Sequence, residues 1–120
     1  MKISTAESVV MGALWRREPL TAEAITAEIA EDQGWTEATV KTLINRLLKK
    51  GAIAAVRDGR RYLYRPVLAR ADYLEAESQG LLDRLFDGRL APLVSHFSRS
   101  RKLSAEDIAE LKRLIEDFDK

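Results

Sequence analysis

The spacing of apolar and polar positions predicts helices at the start of the chain. Ser4 and Glu7 form an S-x-x-E capping pattern ahead of apolar residues spaced three and four apart, so a first helix should run over 5–16. Thr21 can cap a second helix. The turn at 33–35 is short enough to make the second helix and the one after it a compact pair.

The third predicted helix, over 36–50, is strongly two-sided. One stripe is apolar, with Val40, Leu43, Ile44, Leu47 and Leu48 at helical spacing. The other side carries hydrogen-bonding groups and cations: Thr39, Lys41, Thr42, Asn45, Arg46 and Lys49, with Glu37 as the only acid. Thr36 is the expected N-cap and Gly51 the expected end. Such a side suits phosphates and base edges, although a helix whose cations only keep the surface solvated has the same pattern.

After Gly51 the period changes to that of strands. Segments 53–57 and 60–65 flank Asp58-Gly59, a dipeptide favoured in two-residue hairpin turns, and Pro66 ends the second strand. Arginines cluster near the tip: Arg57, Arg60 and Arg61. Two helices followed by a basic hairpin predict a winged helix-turn-helix domain, in which the recognition helix enters the major groove and the wing follows the backbone. The DNA-binding candidates are therefore Thr36, Thr39, Lys41, Thr42, Asn45, Arg46 and Lys49 of the helix and Arg57, Arg60 and Arg61 of the wing.

The rest of the chain predicts three more helices: one over 71–86, one beginning near Pro92, and one capped by Ser104 with Asp107 three residues on. Their apolar positions are Leu74, Leu81, Leu82, Leu85, Leu93, Val94, Phe97, Ile108, Leu111, Leu114, Ile115 and Phe118. We expect these helices to pack against a second copy and form a dimer, which would bind a palindrome with two half-sites. The alternative is that they fold back onto their own winged domain.

The fold class is therefore mainly α with a small β-hairpin wing. We expect two regions, a winged-helix DNA-binding domain at 1–67 and a helical dimerisation region at 68–120.

Charge is concentrated in the middle of the chain. The net charge of the 120 residues is only +1. Residues 36–66, however, hold eight Lys and Arg against two Asp and Glu, a net charge of +6. A local basic patch of this kind can bind a polyanion such as double-stranded DNA while the remainder stays acidic.

Composition argues against several other classes of protein. The chain has no cysteine and a single histidine, His96, so disulfides, thiolate metal sites and cysteine chemistry are excluded, and we expect no enzymatic activity, no metal and no cofactor. No stretch approaches the ~20 apolar residues of a membrane span, and the first residues do not resemble a secretory signal. We expect a cytoplasmic protein.

Four segments together resemble the penicillinase repressor family, the BlaI/MecI/CopY type. They are ISTAESVVMGALW, GWTEATVKTLINRLLKKGAI, the hairpin ending in YLYRP, and LVSHF, and the resemblance covers nearly the whole chain. It implies a homodimeric transcriptional repressor on palindromic operators upstream of resistance or stress genes. It also implies that Thr39, Lys41, Thr42 and Arg46 contact DNA, while Ala38 stands where some members have a lysine, which puts the operator sequence in doubt.

The same resemblance raises the question of how repression is relieved. In penicillinase-type members a sensor with a metalloprotease domain leads to cleavage at an Asn-Phe bond in a motif like LVxNF, and the matching bond here is His96-Phe97. With His in place of Asn, cleavage by a regulatory protease stays an open question. The copper-responsive branch ends in paired Cys-x-Cys ligands, and that route is closed because the chain has no cysteine.

A second function class also fits the pattern. Winged helices can serve as protein-interaction modules, with the basic side meeting an acidic partner and no sequence-specific DNA binding.

Overall fold

The computed structural model describes residues 1–118, in which the chain forms six α-helices and one two-stranded hairpin. The elements are α1 Thr5–Arg16, α2 Ala22–Gln33, α3 Glu37–Lys50, β1 Ile53–Asp58, β2 Arg61–Pro66, α4 Arg70–Leu85, α5 Leu90–Arg99 and α6 Ala105–Phe118. The chain divides into two compact units, a winged unit, Met1–Leu74, and a C-terminal unit from Glu75 onward. The functional division at 67/68 stays a prediction.

The helix starts expected from the sequence in the winged unit are confirmed. The Ser4 side chain accepts a hydrogen bond from the Glu7 amide, and the Glu7 carboxylate accepts one from the Ser4 amide, which completes the capping box of α1. Thr21 caps α2 by accepting from the Ala24 amide at 3.1 Å. Gly34 and Gly51 end α2 and α3 with φ values of 65° and 77°, a conformation that glycine adopts without strain.

The core of the winged unit lies between its three helices and the base of the hairpin. It is built from the apolar stripes of α1, α2 and α3, and its buried members are Ile3, Val10, Met11, Ala13, Leu14, Leu20, Ile25, Ile29, Val40, Leu43, Ile44, Leu47, Ala52 and Ile53. Because the whole apolar stripe of α3 is used in this way, its opposite side must face outward.

The hairpin forms as expected, but its turn is one residue later than predicted. The strands are antiparallel with Ile53 opposite Pro66 and Asp58 opposite Arg61, so the connection is Gly59-Arg60 rather than Asp58-Gly59. Gly59 has a φ of 66° and supplies the positive φ that a two-residue loop needs at its first position.

A single β-bridge joins Leu20 to the second strand of this sheet. The Leu20 amide donates to the Tyr64 carbonyl at 3.0 Å, and the Tyr64 amide donates to the Leu20 carbonyl at 2.8 Å. The segment before α2 is thereby fixed to the wing.

The C-terminal unit holds most of α4 together with α5 and α6. Ser104 and Asp107 form the predicted capping box at the start of α6. Helix α5 begins at Leu90, two residues earlier than the expected start at Pro92, because proline is tolerated in the first turn, where its missing N–H costs no helical bond.

The described part of this unit has no fully buried side chain on any of its helices. Leu93, Val94, Phe97, Leu103, Leu111 and Leu114 line an apolar groove between α5 and α6. Beside it, Ile115 is 61% exposed and Phe118 is 89% exposed in the single chain. The unit therefore exposes an apolar surface that one copy leaves uncovered.

Candidate nucleic-acid interface

Helix α3 presents its polar side to solvent along its full length. It starts at Thr36, whose side chain accepts a hydrogen bond from the Thr39 amide at 3.3 Å. The outer face of α3 consists of six exposed residues: Thr39, Lys41, Thr42, Asn45, Arg46 and Lys49. An α-helix such as this one of 14 residues fits the width of a DNA major groove.

The threonine hydroxyl groups of this helix already make hydrogen bonds within the helix and its cap. Thr36 and Thr39 share a hydrogen bond of 3.2 Å between their hydroxyls, and the Thr42 hydroxyl donates to the Ala38 carbonyl at 3.1 Å. Thr36, which the sequence included among the DNA-binding candidates, therefore has a structural role as the helix cap. The Thr42 oxygen still has lone pairs that can accept a hydrogen bond from a base.

The cations of the outer face differ in whether they already have an ion-pair partner within the chain. Lys41 Nζ lies 3.6 Å from the Glu37 carboxylate, one helical turn away. Within residues 1–118, Arg46 and Lys49 have neither an ion pair nor a side-chain hydrogen bond, and Asn45 likewise has no side-chain hydrogen bond. Arg46 can therefore offer its full fork of donors to a guanine edge or a phosphate.

The three wing arginines cannot be distinguished in the sequence, but in the structure they differ in their side-chain contacts. Arg57 donates through Nε to the Gly59 carbonyl at 3.1 Å, and its guanidinium lies 5.9 Å from the centre of the Tyr62 ring. Arg61 donates through Nε and a terminal nitrogen to Asp58, at 3.2 and 3.0 Å. Arg60, at the turn, is exposed and makes no such contact within the described residues.

The wing and α3 meet at one cleft of about 280 Å³ within the winged unit. The start of α2 forms one wall. The charged and aromatic residues that line the cleft are Glu23, Glu37, Lys41, Arg60, Arg61, Tyr62 and Tyr64. The cations of the wing and the start of α3 thus belong to one continuous surface, as a clamp on a polyanion requires.

We expect Arg60→Ala to weaken binding to any DNA duplex and Arg57→Ala to weaken it much less. A free arginine that neutralises one phosphate contributes about 0.9 to the slope of log affinity against log salt concentration, and that contribution is lost with the side chain. Fluorescence anisotropy with random-sequence DNA at several salt concentrations measures the slope. Equal slope losses for both variants would contradict the different roles of the two arginines.

A buried ion pair that the local sequence pattern does not predict lies at the end of α3. Glu7 is 1% exposed and accepts a hydrogen bond from Lys50 at the last position of α3, at 2.5 Å. Burial raises the pKa of the Glu7 carboxyl, but hydrogen bonds from Lys50 and Ser4 outweigh burial and hold this pKa below its usual value. The signal in the sequence was an acid on the apolar stripe of α1, between Ile3 and Val10.

The structure also places the residues considered for other chemistry. Within 1–118 there is no cluster of His, Asp and Glu that could hold a metal ion. His96 lies in the middle of α5, with its ring centre 6.3 Å from that of Phe86 and 5.6 Å from that of Phe97. No helix in the described range has the length and apolar character needed to cross a membrane.

Comparison with known proteins gives consistent matches over most of the chain. The profile of the penicillinase repressor family matches residues 3–117. A penicillinase repressor of Bacillus licheniformis is 33% identical over 116 residues, which cover 97% of this chain and 91% of that protein. The methicillin resistance regulatory protein MecI of Staphylococcus aureus strain N315 is 31% identical over 114 residues, covering 95% and 93%.

One solved structure bears directly on the winged unit. The Bacillus licheniformis BlaI monomeric form, in complex with the blaP half-operator, has 32% sequence identity with this chain and a TM-score of 0.54. The match covers 61% of this chain and 89% of that chain.

Proposed function

This chain belongs to the penicillinase repressor family, a family of DNA-binding transcriptional repressors and not of enzymes, and we propose that it represses transcription as a homodimer on a palindromic operator. Each protomer would insert α3 into the major groove and place its wing along the backbone. Such a repressor excludes RNA polymerase from the promoter by occupying the DNA. This role places the protein with the chromosome, in the cytoplasm.

The outer face of α3 is the observation that carries the proposal. Its residues are exposed together, and one of them, Lys41, lines the same cleft as Arg60. We assign base recognition to Thr42, Asn45 and Arg46, since amide, hydroxyl and guanidinium groups distinguish base edges in the major groove. Phosphate contacts fall to Thr39, Lys41, Lys49 and the wing arginines, of which Arg60 is the free one.

The related BlaI structure supports one protomer per half-site. That protein was solved as a monomeric form on a half-operator, and its DNA-binding part is 32% identical to this chain. If this chain binds DNA in the same way, a full operator needs two copies related by a twofold axis, with half-sites about one helical turn, ~34 Å, apart.

The C-terminal unit supports the second half of the proposal. Covering apolar surface releases about 25 cal/mol per Å². In a single chain the groove between α5 and α6, together with Leu85, Leu90, Ile115 and Phe118, stays largely exposed. A second copy that contributes the same surface would cover both sides at once, as twofold dimers do.

Relief of repression by proteolysis has a structural requirement here. The bond between His96 and Phe97 lies inside α5, which runs from Leu90 to Arg99. A protease needs an extended segment, so α5 must unwind locally before this bond is cut. Cleavage at this bond would remove α6 from the rest of the chain and with it part of the proposed dimer surface.

The test is to recover bound DNA from the genome of the source organism. Full-length protein is incubated with sheared genomic fragments at ~0.15 M salt, where electrostatic binding is already weakened. We expect a few fragments to be enriched, sharing an inverted repeat with half-sites about 10 base pairs apart. Uniform recovery of fragments, with no shared repeat, would overturn the proposal and favour a protein-interaction module.

A further inference from the structure

The last turn of α3 is attached to the core by a buried charge. Glu7 projects from α1 into the core and is itself 1% exposed. Its Oε1 atom accepts hydrogen bonds from Lys50 at 2.5 Å and from the Ser4 amide at 2.8 Å. Lys50 Nζ also donates to the Lys2 carbonyl, at 2.8 Å. The N-terminal segment, α1 and the end of α3 therefore meet at a single ammonium group.

Lys50 differs from the neighbouring lysine of α3 in its contacts. Lys49 and Lys50 are adjacent in the chain, yet Lys49 makes no ion pair or side-chain hydrogen bond within the described residues, while Lys50 has two partners. The Lys50 side chain is 35% exposed and that of Glu7 is 2% exposed. A carboxylate buried to this degree stays charged only when an opposite charge and hydrogen bonds compensate it. If the Lys50 ammonium moved away from Glu7, the buried carboxylate would lose its compensating charge.

The position of the contact along α3 connects it to DNA recognition. Lys50 is the final residue of the helix, and Arg46 precedes it by one turn. Helix ends fray, and an ion pair at the end of a helix limits this motion. The side chain of Arg46, one turn before Lys50, is then held in a fixed orientation. Base recognition depends on such direction far more than a phosphate contact does.

We propose that Glu7 is a positioning residue for DNA recognition, which fixes the last turn of α3 through Lys50 and withdraws Lys50 from the cations that bind phosphate. This inference rests on the proposed function, because it concerns how α3 is held in the groove. It assigns opposite roles to two neighbouring lysines: Lys49 contacts the DNA backbone, and Lys50 holds the helix.

Buried surroundings distinguish this contact from an ordinary surface ion pair. The second oxygen of Glu7, Oε2, is buried and has no hydrogen-bond partner in the described part of the chain. The carboxylate is therefore compensated through Oε1 alone, by Lys50 and the Ser4 amide. Loss of the Lys50 charge removes the only cation among residues 1–118 that contacts this carboxylate, whereas loss of an exposed pair such as Lys41 with Glu37 would change little.

The experiment measures two quantities on the full-length protein: the salt slope for random duplex DNA, and the ratio of affinities for recovered operator and random DNA. We expect Lys49→Met to lower the slope by about 0.9 per phosphate contact with an unchanged ratio. For Lys50→Met and Glu7→Gln we expect the ratio to fall about tenfold. The slope should stay unchanged in Lys50→Met. Lys50→Arg, which keeps the charge, should retain the ratio.

A purely structural role would lower thermal stability without changing the ratio measured well below the melting temperature. If either single variant unfolds at the assay temperature, the double variant Glu7→Gln/Lys50→Met replaces it, since it leaves no buried charge, and its ratio should be equally low. The inference is overturned if folded Lys50→Met, folded Glu7→Gln or the folded double variant keeps the wild-type ratio, or if Lys50→Met loses as much slope as Lys49→Met. Absence of any operator preference in the wild-type protein would instead refute the proposed function.

Discussion

Ile115→Asp should turn the proposed dimer into a monomer and weaken operator binding by a factor of about 10² to 10⁴, the range by which linked sites exceed single ones. Ile115 is 61% exposed in the single chain, so a carboxylate there does not disturb the packing within the unit. In a dimer interface the same carboxylate would be buried twice without a partner, at a large cost. Analytical ultracentrifugation gives the mass, and a gel shift with operator DNA gives the affinity.

The matched control is Ala109→Asp. Ala109 is exposed on the same helix, and at 100° per residue it lies about 120° from Ile115 and about 160° from Leu111 around the helix axis, outside the apolar stripe. The change introduces the same charge into the same helix but outside the apolar surface, so the control should stay dimeric. A dimer for Ile115→Asp, or equal dissociation of both variants, would show that this surface does not join two copies.

Arg46→Lys should separate base recognition from phosphate binding in the proposed interface. Arginine can contact a guanine with two hydrogen bonds, and lysine keeps the charge but loses the fork. Loss of such a pair costs about 1–3 kcal/mol per site, and a dimer carries the change twice. We therefore expect the ratio of operator to random affinity to fall strongly, by about 10-fold to 100-fold per half-site, while affinity for random DNA stays near that of the wild type.

Two further variants complete this test. Arg46→Ala should lose the same discrimination and in addition lower the salt slope, because the charge is also gone. Thr42→Ala removes an exposed hydroxyl and should reduce discrimination alone. Competition assays with operator and random duplexes measure both effects. If Arg46→Lys keeps full discrimination, Arg46 contacts phosphate and base recognition lies with other residues of the outer face of α3.

The sequence predicts local structure well where all the residues that interact lie within one short motif. Ser4 with Glu7 and Ser104 with Asp107 each place donor and acceptor three residues apart, so that the side chains satisfy free amides at the start of a helix. The apolar stripe of α3 likewise determines which side faces outward. These features need no knowledge of distant residues, and they gave the helices and the exposed face of α3.

The turn of the hairpin shows the limit of that reasoning. Asp58-Gly59 is favoured at hairpin turns as a dipeptide, but strand register is set by all cross-strand pairs together. Here Asp58 pairs with Arg61, which moves the turn to Gly59-Arg60. The shift also leaves Arg60 in the loop, away from the side-chain contacts that occupy its neighbours.

Contacts between distant residues could not be predicted at all. Glu7 and Lys50 are 43 positions apart, and nothing in the local pattern pairs an acid of α1 with the last lysine of α3. The sequence could not distinguish the three wing arginines for the same reason, since the contact of Arg57 with Tyr62 depends on strand pairing. Composition counts charges, whereas only the fold shows which charges are free.

The mass of the protein–DNA complex tests the central claim most directly. Native mass spectrometry is performed on a duplex that contains the recovered inverted repeat and on a matched duplex with one half-site scrambled. We predict two protomers on the complete repeat, joined through the C-terminal helices, and loss of this complex in Ile115→Asp. A single protomer bound to the complete repeat at saturating protein concentration would contradict the account.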